Sequence, residues 1–290
     1  MKYPEITDPL FRDAVDAIDE GNVSALREIL AIRPTLAIER LETPGRKGYF
    51  ANPYLLWFVA DNPIRIDKLP DNIVEIAGVI IDVLTTHSSE KRQHIIDYAL
   101  GLVATGRIPQ ECRVQIPLME CLIKNGARVK GSVLGPIGQR NFEAAEYLLS
   151  KGAVYTLATA VGLNRIDDAK SMVKDAGRSE LYLALLVASF FGKADTIESL
   201  LDAGADPNGA SAVSDFEGFH AHATALHQAV YSGSLDSVKL LVQAGASLDA
   251  GDNAYNGTPL EWAVHMQTES GYTAAAKQQF KAIEDYLRGR

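Results

Sequence analysis

Apolar residues recur along this chain at helical spacing, in short stretches that each end at a glycine. In SLDSVKLLVQ, Leu235, Val238, Leu241 and Val242 fall at i, i+3, i+6 and i+7, which places them on one face of a helix. That helix is predicted to stop at Gly245, because glycine adopts the left-handed conformation without the steric penalty of a Cβ. The closing phrase returns as LIKNGARV, LLSKGAVY, LLDAGADPN and LVQAGASLD, with Gly126, Gly152, Gly204 and Gly245 spaced 26, 52 and 41 residues apart. The 52 is two units of 26, and the intervening unit ends in SMVKDAG with Ala176 at the glycine position. Gly192 and Gly233 each precede a closing glycine by 12 residues and mark a tight turn between paired helices. The first helix of a pair opens on threonine, at Thr224 in TALHQAVYSG and at Thr258 in TPLEWAV. Thr258 and Glu261 form a T-x-x-E capping box with Pro259 at the first helical position.

Thr258-Pro259-Leu260, Thr224-Ala225-Leu226-His227 and the pairs Gly204-Ala205 and Gly245-Ala246 resemble the ankyrin repeat. The resemblance implies an all-α solenoid of stacked helix-turn-helix units, about eight in this chain. Two units match best, over Ala223 to Val264, and Leu181 to Asn208 forms another. The units at Ser132 to Ala153 and Val154 to Gly177 read as helix pairs without the β-turn finger, since about 26 residues cannot hold both helices and a full finger. Earlier, Phe11 to Leu30 reads as a helix pair turned at Gly21, NPYLLWFVAD and IVEIAGVIIDVL as a second pair, and HIIDYALGLVATG with IPLMECLIKNG as a third. The expected organisation is therefore irregular units over 1–131 and regular repeats over 132–290, continuous as one solenoid without a Pro/Gly/Ser-rich linker.

In the family, positions after the TPLH-like phrase line a concave binding surface, and here they begin at Gln228, Tyr231 and Ser232. Offsets by one unit give Val187, Phe190 and Phe191 on one side and Trp262, His265 and Met266 on the other. A further unit supplies Thr159, Gly162 and Leu163. Phe190, Phe191, Tyr231, Trp262 and Met266 would make an aromatic strip suited to a protein or peptide partner. Packing under loops is the competing explanation. Asp16, Asp19 and Glu20 at the equivalent early positions suggest an acidic end to that surface, or a solvated capping helix. Residues 206–223, DPNGASAVSDFEGFHAHA, form an enlarged finger in which Phe216 and Phe219 either reach a partner or fold back over neighbouring helices.

Composition narrows the remaining chemistry. The chain has 290 residues, 28 Lys and Arg against 37 Asp and Glu, and a net charge of −9. That balance offers no basic field for nucleic acid or an anionic membrane, and it inclines the surface toward a basic partner. No run of apolar residues is long enough to span a bilayer, and the start lacks the cationic and then apolar pattern of a signal peptide. With only Cys112 and Cys121, at a spacing unlike CxxC, a reducing cytoplasmic setting is expected.

His220 and His222 make an H-x-H pattern near His227 and Asp215, which is the alternative reading: a small-ligand or metal-binding protein using the 206–223 loop. Alternating positions on an extended segment would point both imidazoles one way, with no third ligand evident. GxSxG, a Cys/His pair and a P-loop are all missing, so no catalytic residue and no cofactor are assigned. The aromatic stretch Tyr49 to Trp57 beside Arg46 and Lys47 is the one region that could hide a site. Its simpler account is an enlarged finger in which Tyr54, Trp57 and Phe58 pack on the next unit.

Overall fold

A computed structural model describes residues 6–43, 51–87, 90–209, 219–220 and 222–290. Among these residues the fold is all α, with no extended pairing beyond isolated bridges such as Ser132 with Val154. The chain divides into two compact units, one of residues 1–131 with 139–153, the other of 132–138 with 154–290.

The second unit contains α7 (Leu134–Gly138) and the helix pairs α9 (Leu157–Gly162) with α10 (Ile166–Met172), and α11 (Arg178–Phe190) with α12 (Ala194–Asp202). These are followed by α13 (Ala225–Ser232) with α14 (Leu235–Gln243), and α15 (Pro259–Thr268) with α16 (Ala274–Arg288). First helices lie side by side in the order α9, α11, α13, α15, and α12 packs on α14 in the second row. Gly204 and Gly245 have φ of 92° and 89°, so the predicted left-handed stops are present. Thr258 Oγ1 accepts the Glu261 N–H at 3.3 Å, and Glu261 Oε2 accepts the Thr258 N–H at 2.7 Å, completing the capping box. Asn208 joins successive repeats by donating to the Gly245 carbonyl and accepting from the Ser247 N–H, both at 2.8 Å.

The repeat weakens at α10. Seven residues before each closing position, the second helices of the next two repeats bury Ile197 and Val238 completely, whereas α10 has Ala169 there and buries no residue. Beside Ala169 lies a surface cavity of about 290 Å³ edged by Val161, Ile166, Ala169, Val173 and Leu200.

The first unit contains α1 (Pro9–Glu20), α2 (Val23–Ile32), α3 (Ile73–Thr86), α4 (Arg92–Thr105), α5 (Arg107–Glu111), α6 (Gln115–Lys124) and α8 (Phe142–Ser150). Gly21, at φ 69°, turns α1 into α2 as the sequence predicts. The stretch NPYLLWFVAD departs from expectation: it forms a 3₁₀ turn over Leu55–Ala60 rather than an α-helix. All six of its residues are buried, leaving no polar face, and Asp61 in the left-handed region ends it. Trp57 lies 4.2 Å from the Tyr98 ring and donates through Nε1 to the Ile95 carbonyl at 3.1 Å, so this element docks on α4. Arg65 fixes the following segment, pairing with Asp19 and donating to the Phe58 and Pro63 carbonyls.

Candidate functional site

The ends of α11, α13 and α15 bring a run of rings together. Phe190 closes α11, and its ring stacks on Tyr231 of α13 at 5.4 Å and 20°. Phe219 returns from the enlarged loop and meets Phe190 edge-on at 4.8 Å and Phe191 at 6.2 Å. His220 stands between Tyr231, at 4.4 Å, and Trp262 of α15, at 5.2 Å. His222 continues the run, 5.9 Å from Trp262 and 6.0 Å from Tyr255, whose side chain is 85% exposed. The segment is anchored by its backbone: Gln228 Nε2 donates to the His220 carbonyl and the Asn253 N–H to the His222 carbonyl, both at 2.8 Å.

A charged group underlies the rings. Asp252 is buried, and its Oδ2 accepts from Trp262 Nε1 at 3.1 Å and from the Gly257 N–H at 3.0 Å. Its Oδ1 accepts the Ala254 and Tyr255 N–H groups at 2.9 and 2.8 Å. Burial opposes the charge on this carboxyl, but the donors from Tyr255, Trp262, Ala254 and Gly257 outweigh it and hold the pKa at about 2. His222 Nε2 lies 3.9 Å from Oδ1. His220 has its pKa lowered by burial and by His222 beside it, which favours the neutral ring. His227 has a structural task. Its Nδ1 accepts from the Thr224 hydroxyl at 2.8 Å and its Nε2 donates to the Gly257 carbonyl at 2.8 Å. Since a carbonyl only accepts, Nε2 carries the proton.

The helix pairs, their glycine stops and threonine caps are those of a known repeat, and residues 184–278 match the family model for ankyrin repeats in three copies. These are ankyrin repeats. Ankyrin repeats are protein-protein interaction modules, and proteins built from them are typically non-enzymatic. No match was found among curated proteins. Among the described residues no helix is long and apolar enough to cross a membrane.

The positions mapped onto the ankyrin binding surface separate into support and surface. Phe190, Gln228 and Met266 are buried, so these three hold the face in place from beneath; Phe190 is covered by Phe219 and Tyr231. Phe191, Tyr231 and Trp262 are partly exposed and His265 is exposed, beside Glu269 at 3.1 Å. Thr159 and Gly162 of α9 are buried. Phe219 is folded back and 7% exposed, while Phe216, and Asp215 of the metal reading, lie outside the described residues. His220 and His222 meet edge-on at 5.7 Å with aromatic neighbours on either side, and no group of three or more His, Cys, Asp or Glu among the described residues could hold a metal ion. Asp19 pairs with Arg65, which removes one of the three charges expected at the acidic end. Tyr54 and Trp57 are buried; Tyr49, Arg46 and Lys47 lie outside the described residues.

Tyr255 and Asp252 escaped the sequence reading. The signal for both was D-x-x-Y immediately before the NGTP turn, where a side chain that caps its own finger leaves the nearby aromatic pointing outward.

Proposed function

We propose that this ankyrin-repeat protein is a non-enzymatic interaction module that docks a protein or peptide on the first-helix face and fingers of its C-terminal repeats. The observation that carries the reading is the continuous contact series from Phe191 through Phe219, His220 and Trp262 to His222 and the exposed Tyr255. Large rings that are partly open to solvent and rigidly backed are the usual anchors of protein interfaces. Phe191, Tyr231, Trp262 and His265 form the contact face, with Phe190, Gln228, Met266 and Phe219 supporting it and Phe216 nearby in the sequence. Charge supports a basic partner: between Lys193 and Lys277 the chain has one cation, Lys239, and eleven Asp and Glu. The acidic surface gives no support to a nucleic-acid or anionic-membrane partner, no residue set calls for a cofactor, and the cytoplasm suits its two free cysteines.

The test is capture of a partner from native lysate by the full chain, compared with the Tyr231→Ala/Trp262→Ala variant. A stoichiometric protein retained by the first and lost by the second, with the helical circular dichroism of both alike, is the expected result. Equal capture by both removes this face as the docking site. Retention of a metabolite or metal in place of a protein would favour the loop-ligand reading.

A further inference from the structure

The aromatic face contains two slots, and in the free protein the chain fills both with its own histidines. The first is bounded by Tyr231 and Trp262 and holds the His220 ring edge-on, at 70° and 86° to the two rings. The second lies between Trp262 and Tyr255, holds His222, and has the Asp252 carboxylate behind it, 3.9 Å from Nε2. The two occupants are planar side chains two residues apart, in a turn closed by the Ala223 N–H donating to the His220 carbonyl at 2.9 Å.

The fastening of this segment makes the slots exchangeable. Its backbone is tied through the His220 and His222 carbonyls to Gln228 and Asn253, independently of the imidazoles. Rotation about side-chain bonds therefore empties a slot while the chain stays where it is. The slots also suit a cation better than the imidazoles that fill them. Aromatic faces and a carboxylate that stays ionised attract positive charge, and burial holds His220 in its neutral form. The surrounding sequence from Lys193 to Lys277 is strongly acidic, so little competes internally for that role.

Resting on the reading of this face as the docking site, we propose that the partner is a basic segment with arginine or lysine side chains at positions i and i+2. These take the two ring-bounded slots that His220 and His222 occupy in the free protein. Guanidinium fits best, being planar, permanently charged and able to lie flat against a ring.

The experiment is an NMR titration of the full chain, which has two tryptophans and therefore two indole N–H signals, Trp262 being assigned with Trp262→Phe. The probe is the capped peptide Gly-Arg-Ala-Arg-Gly, with Gly-Glu-Ala-Glu-Gly as its charge control. The expected result is a saturable shift of the Trp262 signal with the arginine peptide alone, weakened severalfold by salt, while the Trp57 signal stays in place. Removing the internal occupants by His220→Ala/His222→Ala should tighten probe binding about fivefold, because the fraction of open slots rises. A thermal melt of that variant confirms that it is folded.

An unmoved Trp262 signal, an equal response to the glutamate peptide, or weaker binding by the folded double variant would each overturn the inference. The docking face itself fails separately: that outcome is undiminished capture of a protein partner by Tyr231→Ala/Trp262→Ala, whatever the peptide does. A partner that needs both rings, alongside an unmoved Trp262 signal with the arginine peptide, leaves the face standing and removes the basic-segment proposal.

Discussion

Between α13 and α14 the chain turns on Gly233, at φ 74°, and Ser234 then caps α14 through its hydroxyl, so four neighbouring residues complete the connection. Between the 3₁₀ turn and α3 in the first unit, the connection instead depends on Arg65, which reaches Asp19, 46 residues earlier in the chain, and lies 3.5 Å from the buried Asp61. Both arrangements satisfy backbone and charge, but one is built from local turn chemistry and the other from a long-range side-chain network. Local devices repeat and can be exchanged between units, whereas a network tolerates the loss of none of its members.

Breaking the network should therefore cost the most. Arg65→Ala leaves Asp61, whose side chain is 0% exposed, without its cation, and should destabilise the first unit by about 3–5 kcal/mol in urea denaturation. A loss below about 1 kcal/mol would place that connection in the same class as the regular turns. Burial raises the Asp61 pKa despite Arg65, so the folded chain takes up a proton there more readily than the unfolded chain does. Its favourable contribution is present at low pH and is lost as pH rises through the folded pKa.

Asp252 tests the strongest polar device in the repeats. Asp252→Asn reduces the acceptors available to four N–H donors and should cost about 2 kcal/mol near neutral pH. The sign with pH is opposite to that of Asp61. The Asp252 pKa is depressed from 3.8 to about 2, so its contribution is complete above the ordinary carboxylate range and is lost as pH falls through about 2. The difference between wild type and variant should shrink in that acid window. A difference that grows on acidification would contradict the assignment.

A local cap should matter less. Thr258→Ala removes the oxygen that accepts the Glu261 N–H and should lower stability by about 1 kcal/mol, read from the thermal midpoint. The smallest effect is expected at α10, where Ala169→Ile restores the side-chain size found at Ile197 and Val238. Partial filling of the cavity should raise stability by about 0.5–1 kcal/mol. A decrease would show that the backbone of α10 has already closed around the smaller residue.

This contrast also explains what could be read from the sequence. Gly204, Gly245, Thr224 and Thr258 act within a few residues of themselves, so their spacing predicted helix stops, caps and the ankyrin repeat. The 3₁₀ turn at Leu55–Ala60 was not legible, because its form depends on burial on every side and on partners such as Phe11 and Tyr98. The candidate site was legible in part. Offset from Gln228 located Tyr231 and Trp262, but a helical period cannot say that Phe219 covers Phe190, or that the H-x-H pair enters slots between rings. Tyr255 was missed because its exposure follows from the way Asp252 folds the finger around its own carboxylate.

The most direct measurement is chemical-shift mapping of the full chain as the captured protein partner is added. The account predicts the largest amide and side-chain changes at Phe191, Tyr231, Tyr255, Trp262 and His265, with little change at α12 and α14. Changes centred on α12 and α14, or confined to residues 6–131, with this aromatic face unmoved, would contradict it.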